Sequence, residues 1–179
     1  MTNLNQNSIS RSLRGMTLLG AVLAVCLVSA CNVVDGNGNV VEETRQLPHA
    51  VDELRIDDIT VQIEIDESYR DQPVVVLTGD ENILPHIRTD LQGRRLVIED
   101  DAWLNPTVPI RARVRVSAIN RIEAHGGNLY FNLEGHRRLV VQAGGDAHVY
   151  LSGDTRTLEL EASGNSQVDA RDLAAWVGK

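Results

Sequence analysis

Between residues 59 and 65 apolar and polar side chains alternate, with Ile59, Val61, Ile63 and Ile65 set against Thr60, Gln62 and Glu64. The same rhythm returns where Ile110, Ala112, Val114 and Val116 interleave with Arg111, Arg113 and Arg115. A period of two buries one face of a strand and wets the other. Residues 74–77 and 96–98 are shorter apolar runs of strand type. The one helical prospect is a turn around residues 82–87, which Pro85 keeps short. The pattern therefore predicts an all-β chain of short strands.

The C-terminal third adds a longer period. Gly126-Gly127-Asn128 with Phe131 and Leu133, Gly144-Gly145-Asp146 with Val149 and Leu151, and Ser163-Gly164-Asn165 with Val168 and Ala170 form three similar segments. Phe131 aligns with Val149 and then with Val168, and Ile122, Leu139 and Leu158 keep a similar step. A period near eighteen residues is that of one coil of a β-solenoid, in which neighbouring coils bury a core together. Apolar residues stack inside, and Gly, Asn and Asp turn the corners. The expected fold is a parallel β-helix (β-solenoid) with an N-terminal β-strand region. An antiparallel sandwich with glycine-rich turns is the alternative.

The first thirty residues follow a different rule. A polar stretch carrying Arg11 and Arg14 leads into an apolar run over residues 16–29. That run is about fourteen residues, short of the roughly twenty that span a bilayer. A basic start, a short apolar stretch and small residues at its end make a cleaved secretory signal peptide. Val28-Ser29-Ala30-Cys31 matches the lipobox of bacterial lipoproteins, which makes Cys31 the lipidation site. The alternative is an ordinary signal with an incidental cysteine. Acyl chains contribute about 0.8 kcal/mol per buried methylene, so the partner this implies is a membrane, held through lipid on Cys31. Asn32 rather than Asp after the cysteine points to the outer membrane. The organisation read here is a leader over residues 1–30, a tether over 31–39 with flexible Asp35-Gly36-Asn37-Gly38 chemistry, and a β-domain over 40–179. Cys26 leaves with the leader, so no internal disulfide is expected.

Charge narrows the partners. The formal net charge is −8, and removing the leader leaves 15 basic and 25 acidic residues, near −10. Nucleic acid needs a basic face and is excluded on this balance. Aromatics make up 3% of the chain with two Trp, so Val, Ile and Leu must build the core and few rings are free for a sugar cleft. Arg111, Arg113 and Arg115 form a basic stripe, either paired to acids of the neighbouring strand or open to an anionic glycan or headgroup. Trp103 is either a lid over one end of the coil, the favoured reading, or an exposed contact.

The order of motifs resembles the putative auto-transporter adhesin head GIN domain family of bacterial envelope proteins. The likeness runs over residues 38–173. Its marks are Gly38-Asn39-Val40-Val41, the segment from Pro48 to Leu54, Asp80-Glu81-Asn82-Ile83-Leu84-Pro85-His86-Ile87, Gly93 with Leu96-Val97-Ile98, and the glycine-rich coils. The resemblance implies a parallel β-helix and no catalytic or ligand residue. Family members continue through more such coils, so the last coil here is expected to be an open edge able to pair with another chain.

No chemistry stands out. His49, His86, His125, His136 and His148 lack metal-ligand spacing, no nucleophile elbow occurs, and neither cofactor nor metal is expected. Asp57-Asp58, Asp66-Glu67, Asp80-Glu81 and Glu99-Asp100-Asp101 sit at expected turns, where Asp serves the backbone. The leading expectation is a non-enzymatic, lipid-anchored envelope protein presenting a β-helical surface for adhesion or binding to a protein or glycan. A periplasm-facing structural or accessory lipoprotein comes second. A β-helix polysaccharide-processing enzyme comes third, and would need two acids about 5–9 Å apart in one groove.

Overall fold

The computed structural model describes residues 33–178. The leader and Cys31 lie outside the described residues. The described chain forms β1 (Val33–Asp35), β2 (Val40–Gln46), β3 (Glu53–Asp57), β4 (Thr60–Ile65), β5 (Val74–Asp80), β6 (Ile87–Gln92), β7 (Arg95–Asp100), β8 (Trp103–Asn105), β9 (Arg111–Val116), β10 (Arg121–His125), β11 (Asn128–Gly144), β12 (His148–Ala162) and β13 (Gln167–Gly178). The expected turn near Pro85 is a single 3-10 turn at Leu84–His86.

Eleven of the strands make one sheet, in the order β2-β5-β9-β4-β11-β10-β3-β7-β6, with β12 beside β11 and β13 beside β12. The sheet is mixed: β2–β5, β5–β9 and β6–β7 are antiparallel, whereas β4–β9, β3–β7, β10–β3 and the ladders from β10 through β11 and β12 to β13 are parallel. It curls into a nearly closed, barrel-like wrap around one apolar core. Arg45 of β2 reaches the other edge of the sheet, donating to the carbonyls of Leu84 (2.9 Å) and Ile87 and to Thr89 Oγ1 of β6 (3.3 Å). These bonds, two to backbone carbonyls and one to a hydroxyl, hold the two margins together where no ladder joins them.

This architecture overturns the expected parallel β-helix. The antiparallel pairs β2–β5 and β6–β7 form both margins of the wrap, and the N-terminal strand region is part of the same sheet. The antiparallel sandwich fails too, because the middle of the sheet is parallel. The physical reason lies in the reach of the repeat. It governs residues 121–178, where Leu139 pairs with Leu158 and Val149 with Val168, and it says nothing about the upstream strands, where β6 and β7 meet through a tight turn and β2 pairs with β5 across the intervening β3 and β4. The repeat frame also slips at one step: Val149 lies opposite Leu129, and Phe131 opposite Leu151. A slip of two residues keeps each side chain on its own face, so the apolar pattern cannot reveal it.

β11 and β12 are long enough to serve both sides of the wrap. The first part of β11 pairs with β4 and its last part with β10, and the ladder to β12 is interrupted between Leu133 and His136. At that bend His136 meets the carbonyl of Ile119 and packs edge-on to Phe131, with ring centroids 5.7 Å apart. The buried Thr155 hydroxyl donates to His136 O at 3.1 Å. The core between the two sides is aliphatic, including Leu54, Ile56, Leu77, Ile98 and Leu129 with Phe131. Full burial of each contributes about 1.5–3 kcal/mol.

The corner between β10 and β11 depends on Gly127. Its φ is +68°, and a Cβ there would lie 2.4 Å from Ile59 O and 2.7 Å from Ile59 N. Only glycine lets this corner nest on the backbone between β3 and β4.

The stretch read as a flexible tether is held down from Val33 onward. β1 pairs in parallel with β8. Buried Asp80, at the end of β5, accepts from Gly38 N (2.8 Å), Thr107 N (2.7 Å) and Thr107 Oγ1 (2.6 Å). The Thr107 hydroxyl, above all, holds its carboxyl below the usual carboxylate range. Asn82 adds bonds to Asn37 N and Asp35 O.

Candidate functional site

The wrap has two outer faces, and they differ in chemistry. On the side of β6, β7, β3 and β10, charged residues are tied to one another. Arg95 pairs with Glu53 (2.9 Å) and Glu123 (3.3 Å), and Arg55 with Asp57 (3.1 Å). Arg138 pairs with Glu159 (3.0 Å), while Gln142 joins Arg121 to Glu161. Exposed pairs of this kind contribute little to stability, but they occupy the groups that a partner would need.

The side of β5, β9, β4 and the first parts of β11 and β12 is more open. Strand register lays its outward residues in rows. One row runs Arg113, Gln62, Tyr130, Tyr150, Asp169 across five strands. A second contains Arg111 and Thr60, then Asn128 and His148. A third contains Arg115 and Glu64, then Asn132 and Ser152. The rings of Tyr130 and Tyr150 are stacked, with centroids 4.8 Å apart and planes within 6°. Both remain exposed, at 45% and 38%.

Arg113 and Arg115 share the one carboxylate of Glu64. Arg115 Nε hydrogen-bonds to it at 2.9 Å, and Arg115 also lies 6.0 Å over the Tyr69 ring. Arg113 Nε approaches at 3.1 Å without the geometry of a hydrogen bond, which leaves that buried donor without an acceptor. Among the described residues Arg111 makes no ion pair. The basic stripe is thus partly neutralised by the neighbouring strand, as one of its two readings expected, and partly free. A depression of about 490 Å³ opens beside Tyr130, lined by Gln62 of β4, Arg111 and Arg113 of β9 and Thr78 of β5. At the far end Asp169 is held by Arg171, whose hydrogen bonds lower its carboxyl to about 2.

The other residues singled out in the sequence are dispersed. The acidic pairs serve turns and clamps: Asp66 caps Ser68 N at 2.8 Å, Asp80 fastens the N-terminal segment, and Asp101 accepts from Arg88 and lies 3.0 Å from His86 Nδ1. These contacts keep the Asp101 carboxyl below its usual range, the His86 bond foremost. Burial, with Asp58 nearby, pushes Asp100 up. Among the described residues no cluster of three His, Cys, Asp or Glu could hold a metal ion. Trp103 is not a lid; it is 74% exposed on β8, and Trp176 is 83% exposed on β13. The sequence reading passed over the tyrosine stack. Tyr130 and Tyr150 occupy equivalent repeat positions twenty residues apart, a spacing that the slipped frame conceals.

Residues 55–177 match the family described as putative auto-transporter adhesin, head GIN domain. The chain belongs to this family. No curated protein matches this GIN-domain chain. Among solved structures it is similar to a putative adhesin from Bacteroides fragilis, with a TM-score of 0.61 and 15% identity over 79% of this chain and 75% of that one. A putative adhesin from Parabacteroides merdae gives a TM-score of 0.56 and 16% identity over 82% and 78%. A putative lipid binding protein from Parabacteroides distasonis gives 0.52 and 17% over 80% and 78%. At these identities the likeness is one of fold. Among the described residues no helix is long and apolar enough to cross a membrane.

Proposed function

We propose that this GIN-domain protein is a non-enzymatic binding protein of the cell envelope. In this reading it is lipid-anchored through Cys31, at the outer membrane, and presents the tyrosine-bearing face for adhesion to a protein or glycan. The observation that carries the reading is the contrast between the two outer faces: one is tied up in its own ion pairs, and the other offers stacked rings, the unpaired guanidinium of Arg111, and two further arginines that share one carboxylate. The family description and the names of the similar structures support an adhesive role. Self-association is part of the proposal, since β13 pairs with β12 alone among the described residues. A strand edge of that kind accepts another strand.

Protease shaving of intact cells, blotted against a lysed control, tests the reading. Loss of the protein from intact cells is the expected result. Loss only after lysis overturns the adhesion reading and leaves an accessory protein facing the periplasm.

A further inference from the structure

We propose that the depression beside Tyr130 is a subsite for an acidic, carboxylate-bearing sugar, with Tyr130 as stacking platform and Arg111 and Arg113 as carboxylate receivers. The inference rests on the binding-face reading and names its ligand class. One ring face of Tyr130 is covered by Tyr150. The other looks toward β4, because β4 and β12 are the two neighbours of β11 at this row. A sugar ring laid on that free face sits over Gln62. From Tyr130 to Arg113 is two strand spacings, about 9–10 Å, a span for one or two sugar rings.

The donors that β9 contributes, two strands from Tyr130, suit a carboxylate. A guanidinium presents a planar fork that meets a carboxylate in two parallel hydrogen bonds. Among the described residues neither Arg111 nor Arg113 donates a hydrogen bond to the protein, and the stripe holds three cations against the single carboxylate of Glu64. Gln62, Thr78 and Asn128 add neutral donors and acceptors for hydroxyls around the lining. The volume of about 490 Å³ falls in the range of small-ligand sites. The overall negative charge of the chain disfavours extended polyanionic surfaces, including anionic bilayers, whereas a short acidic sugar meets only the local positive field.

The test uses the purified full chain with trigalacturonate and its neutral counterpart, trigalactose, followed by calorimetry and by tyrosine fluorescence. Saturable binding of the acidic trimer is expected, at least about tenfold tighter than the neutral one and weakening with salt. Arg111→Gln should remove most of that preference. Tyr130→Ala should weaken both sugars and abolish the fluorescence change, with folding checked by an unchanged melting temperature. Arg138→Gln on the opposite face should leave binding intact. Equal affinity for the two trimers, no binding of either, or loss of binding with Arg138→Gln overturns the proposal. So does Arg111-dependent binding to phosphatidylglycerol vesicles in the absence of trigalacturonate binding. Failure here with continued protease sensitivity on intact cells removes the sugar assignment and leaves the adhesion reading standing.

Discussion

Replacing Gly127 with alanine separates two costs that the β10–β11 corner imposes. The first is conformational. A non-glycine residue at φ +68° pays about 1–2 kcal/mol, offset by about 0.4–1 kcal/mol from stiffening the unfolded chain. The second is steric. The new methyl would meet Ile59 O, N and C at 2.4, 2.7 and 2.8 Å. All three are backbone atoms, and Ile59 is only 2% exposed, so the corner must shift as a unit against β3 and β4. Forcing a group into a packed site costs about 1–3 kcal/mol. The sum for Gly127→Ala is about 2–4 kcal/mol. Gly135→Ala is the control: its φ is +63°, with nothing within 4 Å of the added carbon, so it carries the conformational part alone, about 1 kcal/mol. Urea denaturation of both variants, with unchanged slope, reads the difference. If the two lose the same stability within about 0.5 kcal/mol, the nesting of the two corners is not what requires glycine.

Phe131 is 2% exposed, and Phe131→Ala should cost about 3–5 kcal/mol in the same denaturation series; a loss below about 1 kcal/mol would mean that the bend at His136 is not packed as described. The Asp80 carboxyl is depressed in the folded state, so its contribution is present above the ordinary aspartate pKa and lost as pH falls through the lowered value. Melting temperature should therefore drop on acidification more steeply in the parent than in Asp80→Asn, and parallel curves would contradict the clamp. Cys31→Ser should leave the chain unprocessed or release it from membranes; a fully processed variant that still sediments with membranes would remove the lipid anchor.

How much could be read in the chain depended on what each strand buries. β4 and β9 each put alternate residues into the core, with Val61 and Ile63 in one and Ala112, Val114 and Val116 in the other, and alternation marked them plainly. β2 (Val-Val-Glu-Glu-Thr-Arg-Gln) has no fully buried side chain and brings only Val41, partly buried, against the core, so apolar periodicity had little to register, and the antiparallel margin it forms went unseen. The β6–β7 hairpin was legible in principle. Gly93 and Arg94 link Gln92 to Arg95 in a two-residue turn, and Gly93 has φ +64°, as such turns need. The arginine stripe was legible as a feature, yet its partial neutralisation needed the position of Glu64. The tyrosine stack needed the correct register, which apolar matching leaves ambiguous by two.

The clamp at Asp80 has a mechanical consequence. A pull on the N-terminal end reaches β1 first, then the bonds from Gly38 to Asp80 and from Asn37 to Asn82, and only afterwards β2 and the core strands. These few contacts form a sacrificial stage in series with the domain. Under a rising load they would yield first and pay out a few residues of slack, leaving the face that carries Tyr130 and Tyr150 in place while the tether lengthens.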